Sequence, residues 1–170
     1  MSPQGIITTD HAVVASAIPG YHLALKFSGE QLAELAFVSS ATPLVRSRSD
    51  AAAYVIAQLE LYFRNPCWCF DLPLLPQGTE FQRRVWQALR EIPLGTTVTY
   101  GQLAWRLESS ARAVGGACRA NPTVLVVPCH RVVAATGIGG FMGHGQGQTI
   151  GIKEWLLQHE LDGVADHAAE

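Results

Sequence analysis

Thr99–Ala120 reads TYGQLAWRLESSARAVGGACRA, and the folding of this stretch decides the architecture of the second half of the chain. Thr99 and Gln102 stand at capping-box spacing, so a short helix is expected from Tyr100 to about Leu107. Glu108-Ser109-Ser110 breaks it tightly, and a second helix is expected from Ala111 to Ala120, stopping before Pro122. Two short helices joined by a three-residue turn outline a helix-turn-helix.

The second of these helices has an unusual composition. A helix that reads base edges in the major groove carries several long polar side chains. Of the ten residues from Ala111 to Ala120, six are Ala or Gly, and only Arg112 and Arg119 are long and polar. Gly115 and Gly116 each cost roughly 1 kcal/mol in helix propensity, which implies that something approaches the backbone closely. Two readings stay open: tight packing against another helix, or a smooth face pressed into the minor groove of DNA with an arginine projecting from it. The second surface would bind duplexes with little sequence preference.

Upstream of this pair, Thr79 and Gln82 form another capping box, and Phe81, Val85, Leu89 and Ile92 mark one face of a helix. Downstream, Thr123–Val127 reads as a strand, followed by a Pro-Cys-His turn, a second strand, a glycine-rich loop and an amphipathic helix over Ile152–Leu161. The first part of the chain differs. Runs at Ile6–Thr9, Val13–Ile18, His22–Phe27 and Leu35–Val38, punctuated by Gly20, Gly29 and Pro43, suit an antiparallel sheet. Ser49–Phe63 reads as a helix, and Trp68–Leu75 as extended. Pro73, Pro76 and Gly78 mark a linker, so the expected domains are 1–76, an α/β unit, and 77–170, mostly helical.

Composition sets limits on function. The chain has 170 residues, 48% hydrophobic and 15% charged, enough for a sizeable core. No apolar run approaches a membrane span, and the first residues lack the basic start and apolar core of a secretory signal, so a cytoplasmic protein is expected. The net charge of −2 is unevenly spread: residues 81–131 hold seven Arg against two Glu, while the segments on either side are acidic. A basic island of this kind suits a polyanion. The four cysteines, at 67, 69, 118 and 129, have neither thioredoxin nor zinc-site spacing, so no metal is expected. Cys67, Cys69 and Cys118 read as small buried hydrophobes.

Cys129 is different, because it sits in Val126–Val133, VVPCHRVV, with His130 and Arg131 beside it. Pro128 marks a strand end. Adjacent side chains of an extended backbone point to opposite faces. The natural arrangement therefore has Cys129 facing a cleft while His130 faces back into the protein and communicates with it through a water. A free thiol is mostly protonated at neutral pH, and each pKa unit of depression needs about 1.4 kcal/mol. A histidine oriented by a carboxylate can take the proton. Lys153, Leu157 and Glu160 share one face of the last helix and offer a cation and an anion, although each alone reads as a solvated surface charge.

From Phe81 to Glu160 the successive blocks FQRRVWQALREIPLGTTVTYGQLA, ARAVGGACRANP, VVPCHRVV and IKEWLLQHE resemble the O6-alkylguanine-DNA alkyltransferase family, the methylated-DNA–protein-cysteine methyltransferases. The resemblance covers about half of the chain. It implies an α+β fold, with a ribonuclease-H-like N-terminal α/β domain before a winged-helix-like helix-turn-helix domain. By resemblance Cys129 is the acceptor nucleophile, His130 its base through a water, and Glu160 the group that orients His130. Asn121 braces the turn before the active site. Tyr100, assisted by Lys153, neutralises the leaving guanine. Arg112 fills the stack when the base rotates out. Ala111, Gly115, Gly116, Arg119 and Arg131 join Arg112 and Tyr100 on the DNA face, and Phe141, Met142 and Pro128 line the alkyl pocket.

The implied activity is single-turnover transfer of an alkyl group from O6 of guanine, or O4 of thymine, in double-stranded DNA to Cys129. It needs no cofactor, no membrane and no obligate protein partner, and the chain is expected to act as a monomer. Two departures from the family concern substrate range. Phe141 stands where many members have a tyrosine, and the loop 143–151, GHGQGQTIG, is long and rich in Gly and Gln. His144 within it is expected to be exposed and without a role. Rival readings are a lesion-binding alkyltransferase-like protein, a helix-turn-helix regulator with a structural cysteine, and a cysteine hydrolase. The first lacks an acceptor cysteine, the second would discriminate among undamaged sequences, and the third would turn over repeatedly.

Overall fold

The computed structural model describes residues 9–142 and 148–169, the side chain of Gln148 apart. Two compact units divide the chain: one takes it up to Arg64 together with Cys69–Pro76, the other takes Asn65–Trp68 together with Gln77 onward. The expected cut after residue 76 therefore has an exception, a short excursion of Asn65–Trp68 into the second unit. Its reason is local. Pro66 packs on Gly163 so closely that a Cβ added there would lie 2.1 Å from Cγ of the proline.

The first unit is a three-stranded antiparallel meander, β1 (Thr9–Ala15), β2 (Tyr21–Ser28) and β3 (Gln31–Ser39), in the order β1-β2-β3. Leu23, Leu25 and Phe27 alternate into the core from β2 and meet Leu32, Leu35 and Phe37 of β3, the period-2 pattern of a half-buried sheet. Ile6–Thr9 was expected as a strand of its own; only its Thr9 falls within the described residues, where it opens β1. The strand expected over Val13–Ile18 ends at Ala15, because Ser16 turns its hydroxyl onto the Tyr21 carbonyl at 2.8 Å to close the hairpin. Helix α1 (Asp50–Arg64) starts at Ser49, whose hydroxyl accepts from the Ala52 amide at 3.1 Å. It buries Ala52, Val55, Leu59 and Tyr62.

The second unit is mostly helical. Helix α2 (Glu80–Arg90) begins with the complete Thr79–Gln82 capping box. β4 (Val98–Thr99) leads into α3 (Tyr100–Arg106), whose Thr99–Gln102 box is also complete. α4 (Ala111–Arg119) follows a turn in which Glu108 takes φ 52, and Ser110 caps it by accepting from the Ala113 amide. The Trp86 indole of α2 donates to the Ala117 carbonyl at 2.8 Å and so fixes α4 in place. The chain then passes through one turn of 3-10 helix (Cys129–Arg131) into β5 (Val132–Val133) and ends in α5 (Gln148–Ala168). Val85, Leu89, Leu103, Val114, Val132, Ile152 and Leu156 form the core. This is the expected α+β layout with a helix-turn-helix in its second half.

Two expectations fail here. Thr123–Val127 is not a strand but a series of turns, with Val127 N–H donating to the Thr123 carbonyl at 3.0 Å and Leu125 at φ 68. All five residues are buried, so an apolar run of strand length is in fact a buried turn. The last helix is longer than Ile152–Leu161 and takes up Gln148–Gly151, which were expected in the loop. The rest of that loop, including His144, lies outside the described residues.

Candidate active site

The 3-10 turn separates three adjacent reactive side chains. Parallel pairing of β4 with β5 (Val98↔Val132, Thr99↔Val133) brings the start of α3 beside the end of this turn. Cys129 consequently faces a cavity of about 530 Å³ that Tyr100 also lines. α4 supplies the opposite wall with Arg112, Gly115, Gly116, Cys118 and Arg119, and Gly140, Phe141 and Met142 complete it. His130 points the other way and is buried, with Nε2 2.8 Å from Oε1 of Glu160. Its Nδ1 is buried too and has no hydrogen-bond partner among the described residues.

The glycine pair decides between the two readings of α4. Among the described residues, a Cβ added at Gly115 or Gly116 would meet nothing within 4 Å. Neither glycine packs against a helix; both lie bare on the cavity wall, flanked by Arg112 and Arg119. Ala111, at the first position of α4, is exposed but does not line the cavity.

Asn121 lies closer to the chemistry than a brace for the turn would. Its Nδ2 donates to the Val127 carbonyl at 2.8 Å and to the sulfur of Cys129 at 3.3 Å, while its Oδ1 accepts from the Thr123 amide. Lys153 and Glu160 are both 0% exposed, so neither is the solvated surface charge that helical spacing alone suggests. The Lys153 ammonium donates to the carbonyls of Val132 at 2.6 Å and Gly140 at 3.0 Å. The Tyr100 hydroxyl donates to that same Gly140 carbonyl at 3.3 Å.

Two assigned residues stand elsewhere. Arg131, expected on the DNA face, is turned inward, its side chain 13% exposed. Its Nε and Nη2 donate to the two oxygens of Glu160 at 2.9 Å each, and its Nη1 to the Ile92 carbonyl at 2.7 Å. The guanidinium is committed to three internal acceptors and largely withdrawn from the surface, so it is not placed as a phosphate contact. Pro128, expected in the alkyl pocket, is buried but not part of the wall, since it precedes the 3-10 turn and directs the cysteine rather than itself toward the cavity. Sequence reasoning missed Cys118 and Gly140. Cys118 lies three residues beyond Gly115 on the same helical face, a usable signal. Gly140 acts through its backbone carbonyl, which no side-chain pattern announces.

Electrostatics follow from burial. Burial pushes the Cys129 thiol up; the Asn121 hydrogen bond and the Lys153 charge oppose this without reversing it. The depressed thiol pKa that sequence reasoning called for is therefore not the resting condition. Burial likewise pushes Cys118 up to about 12 and Tyr100 up to about 12, so both keep their protons at neutral pH. It brings Lys153 down to about 8 and lowers His130, which is neutral. Burial alone would raise the Glu160 carboxyl, but hydrogen bonds from His130 and Arg131 and the Arg131 charge hold it down at about 2. The site thus contains a protonated thiol, a neutral imidazole, and a carboxylate neutralised by Arg131.

Residues 80–162 match the family model described as the 6-O-methylguanine DNA methyltransferase DNA-binding domain. A methylated-DNA–protein-cysteine methyltransferase of Methanosarcina mazei is 50% identical over 105 residues, which make up 61% of this chain and 64% of that protein. The match thus spans less than two thirds of the relative's length. The crystal structure of Mycobacterium tuberculosis O6-methylguanine methyltransferase superposes with a TM-score of 0.72 at 32% identity, over 91% of this chain and 94% of that one. The structure of Mycobacterium tuberculosis OGT in complex with DNA gives a TM-score of 0.69 at 33% identity, over 90% and 93%.

Proposed function

The chain belongs to the 6-O-methylguanine DNA methyltransferase family, and from that premise we propose that it repairs DNA by direct reversal, moving one alkyl group from O6 of guanine to the sulfur of Cys129. O4 of thymine is a second source of the same group. The observation that carries this reading is the placement of Cys129 on a cavity bordered by Arg112 and the bare glycines, with His130 and Glu160 behind the turn.

Recognition begins at α4. A narrow groove between two phosphate backbones favours a small, basic surface, and Gly115, Gly116, Arg112 and Arg119 provide one. O6 of a paired guanine lies inside the duplex, so the nucleotide must rotate out at a cost of a few kcal/mol. The Arg112 guanidinium fills the space it leaves and offsets part of that cost.

Within the cavity the Tyr100 hydroxyl, still protonated at neutral pH, donates to the guanine ring, and the Lys153 charge nearby favours both thiolate and departing base. The Cys129 proton passes through one water to Nδ1 of His130, with Glu160 holding the imidazole by Nε2. Sulfur then attacks in line: the S–C bond forms, the C–O6 bond breaks, and its electron pair stays on guanine. In sum a thiol and an alkylated base become a thioether and guanine, the thiol proton ending on the base. A thioether does not hydrolyse, so each chain acts once. The reaction requires no cofactor, and the protein works as a monomer in the cytoplasm, a compartment that keeps thiols reduced.

The test is stoichiometry. After incubation with excess duplex carrying O6-methylguanine, peptide mass spectrometry finds one added CH2 unit on Cys129 and one guanine restored per chain. Repeated turnover, or restored guanine beside an unmodified Cys129, overturns the proposal.

A further inference from the structure

Within one 3-10 turn, Arg131 is the third side chain to leave the backbone, and its direction is as specific as that of the other two. Its fork grips both oxygens of Glu160, and its remaining nitrogen is anchored to the Ile92 carbonyl, just beyond the end of α2. Oε1 of Glu160 receives both Arg131 Nη2 and His130 Nε2. We infer that Arg131 is a positioning residue for alkyl transfer: by gripping both oxygens of the carboxylate that His130 bonds, it keeps Nε2 of His130 as the donor and leaves Nδ1 as the open acceptor for the thiol proton. This rests on the alkyl-transfer reading.

The physical argument has two parts. The first is geometric. A carboxylate that could pivot would let the imidazole rotate or change tautomer, and a planar, two-point guanidinium contact prevents the pivot. The second concerns charge. The charged groups acting on His130 are Glu160 and Lys153 from α5 and Arg131 from its own turn; the Ile92 carbonyl, just beyond α2, accepts from Arg131. Glu160 favours a proton on the imidazole, whereas Arg131 and Lys153 oppose one. Without Arg131, a buried carboxylate facing a neutral histidine would be balanced by protonating it. A base that already holds a proton cannot accept another.

The experiment is a pH profile of the single-turnover rate on O6-methylguanine duplex, for the full chain and for Arg131→Met and Arg131→Lys, alongside affinity for undamaged duplex. Arg131→Met should move the acid limb of the profile upward by about one pH unit, about a ten-fold loss at a pH on that limb, recovered by raising the pH. Arg131→Lys, which keeps the charge, should hold the limb near its original position. Duplex affinity and its salt dependence should not change. An unshifted limb with weaker duplex binding would make Arg131 a DNA contact instead, and an unshifted limb with a uniform loss of rate would reduce it to a structural role; either overturns the inference. Nitrogen NMR of His130 in the wild-type chain tests it independently of activity. A neutral ring protonated at Nε2 is expected, and protonation at Nδ1 overturns it. Failure of the wild-type chain to methylate Cys129 at any pH would overturn the parent reading, while the tautomer result would still stand for Arg131.

Discussion

Asn121 hydrogen-bonds the sulfur of Cys129 at 3.3 Å with the same Nδ2 that holds the Val127 carbonyl at 2.8 Å. One amide therefore shapes the buried turn and hydrogen-bonds the sulfur. It is also a direct protein donor to a thiol that burial otherwise disfavours as an anion. Replacing it separates these two contributions.

Asn121→Ala removes a hydrogen bond that becomes charge-assisted once the thiolate forms, worth about 1.5–3 kcal/mol. The single-turnover rate should fall roughly ten- to a hundred-fold at neutral pH, and the thiol should titrate at still higher pH. Rates measured across pH, with thiol ionisation followed by ultraviolet absorbance, check both. An unchanged thiol titration would show that the contact to sulfur contributes nothing beyond the turn.

Acid stability should depend on Glu160. Its carboxyl is held at about 2 in the folded protein against an ordinary value of 4.5. Between those values the unfolded chain binds more protons, so stability rises with pH. The contribution is complete above pH 4.5 and is lost as pH falls toward 2. Glu160→Gln should cost about 3–5 kcal/mol at neutral pH, as removal of one partner from a buried pair does, with a smaller difference from wild type near pH 3. Urea unfolding at several pH values measures it, and a difference independent of pH would refute the assignment.

The α4 glycines predict opposite effects on stability and binding. Since a Cβ at Gly116 meets nothing within 4 Å among the described residues, Gly116→Ala should stabilise the protein by about 0.5–1 kcal/mol. Gly116→Leu should fold equally well but weaken duplex binding, because its side chain would stand on the face proposed to enter the groove. Thermal unfolding and fluorescence anisotropy on undamaged duplex check the pair, with the affinity of the parent chain falling steeply with salt. Destabilisation by Gly116→Ala would restore the helix-packing reading.

Local chemistry made much of the fold legible. Thr79–Gln82 and Thr99–Gln102 set two helix starts because a capping box is a short-range arrangement that needs no tertiary context. Cys129 stood out because a thiol, an imidazole and a guanidinium interrupt an apolar run. Illegible features depended on the third dimension. Thr123–Val127 looked like a strand because periodicity registers only that its side chains are apolar, and nothing marks a leucine at φ 68. Arg131 was counted with the basic island because a tally of charges cannot tell an outward guanidinium from an inward one. Lys153 and Glu160 read as surface charges for the same reason, since their burial requires the 3-10 turn to lie across α5.

The high proton affinity of the resting sulfur bears on the lifetime of an unused molecule. A reagent that is consumed by its own reaction must survive until the lesion arrives, and the cell is full of electrophiles and oxidants that attack thiolates. A cysteine that is 5% exposed and kept as the thiol by burial is a poor target for them. Under the proposed single-use reaction, repair capacity tracks the number of intact chains in store, and the same burial that slows the chemistry preserves that stock.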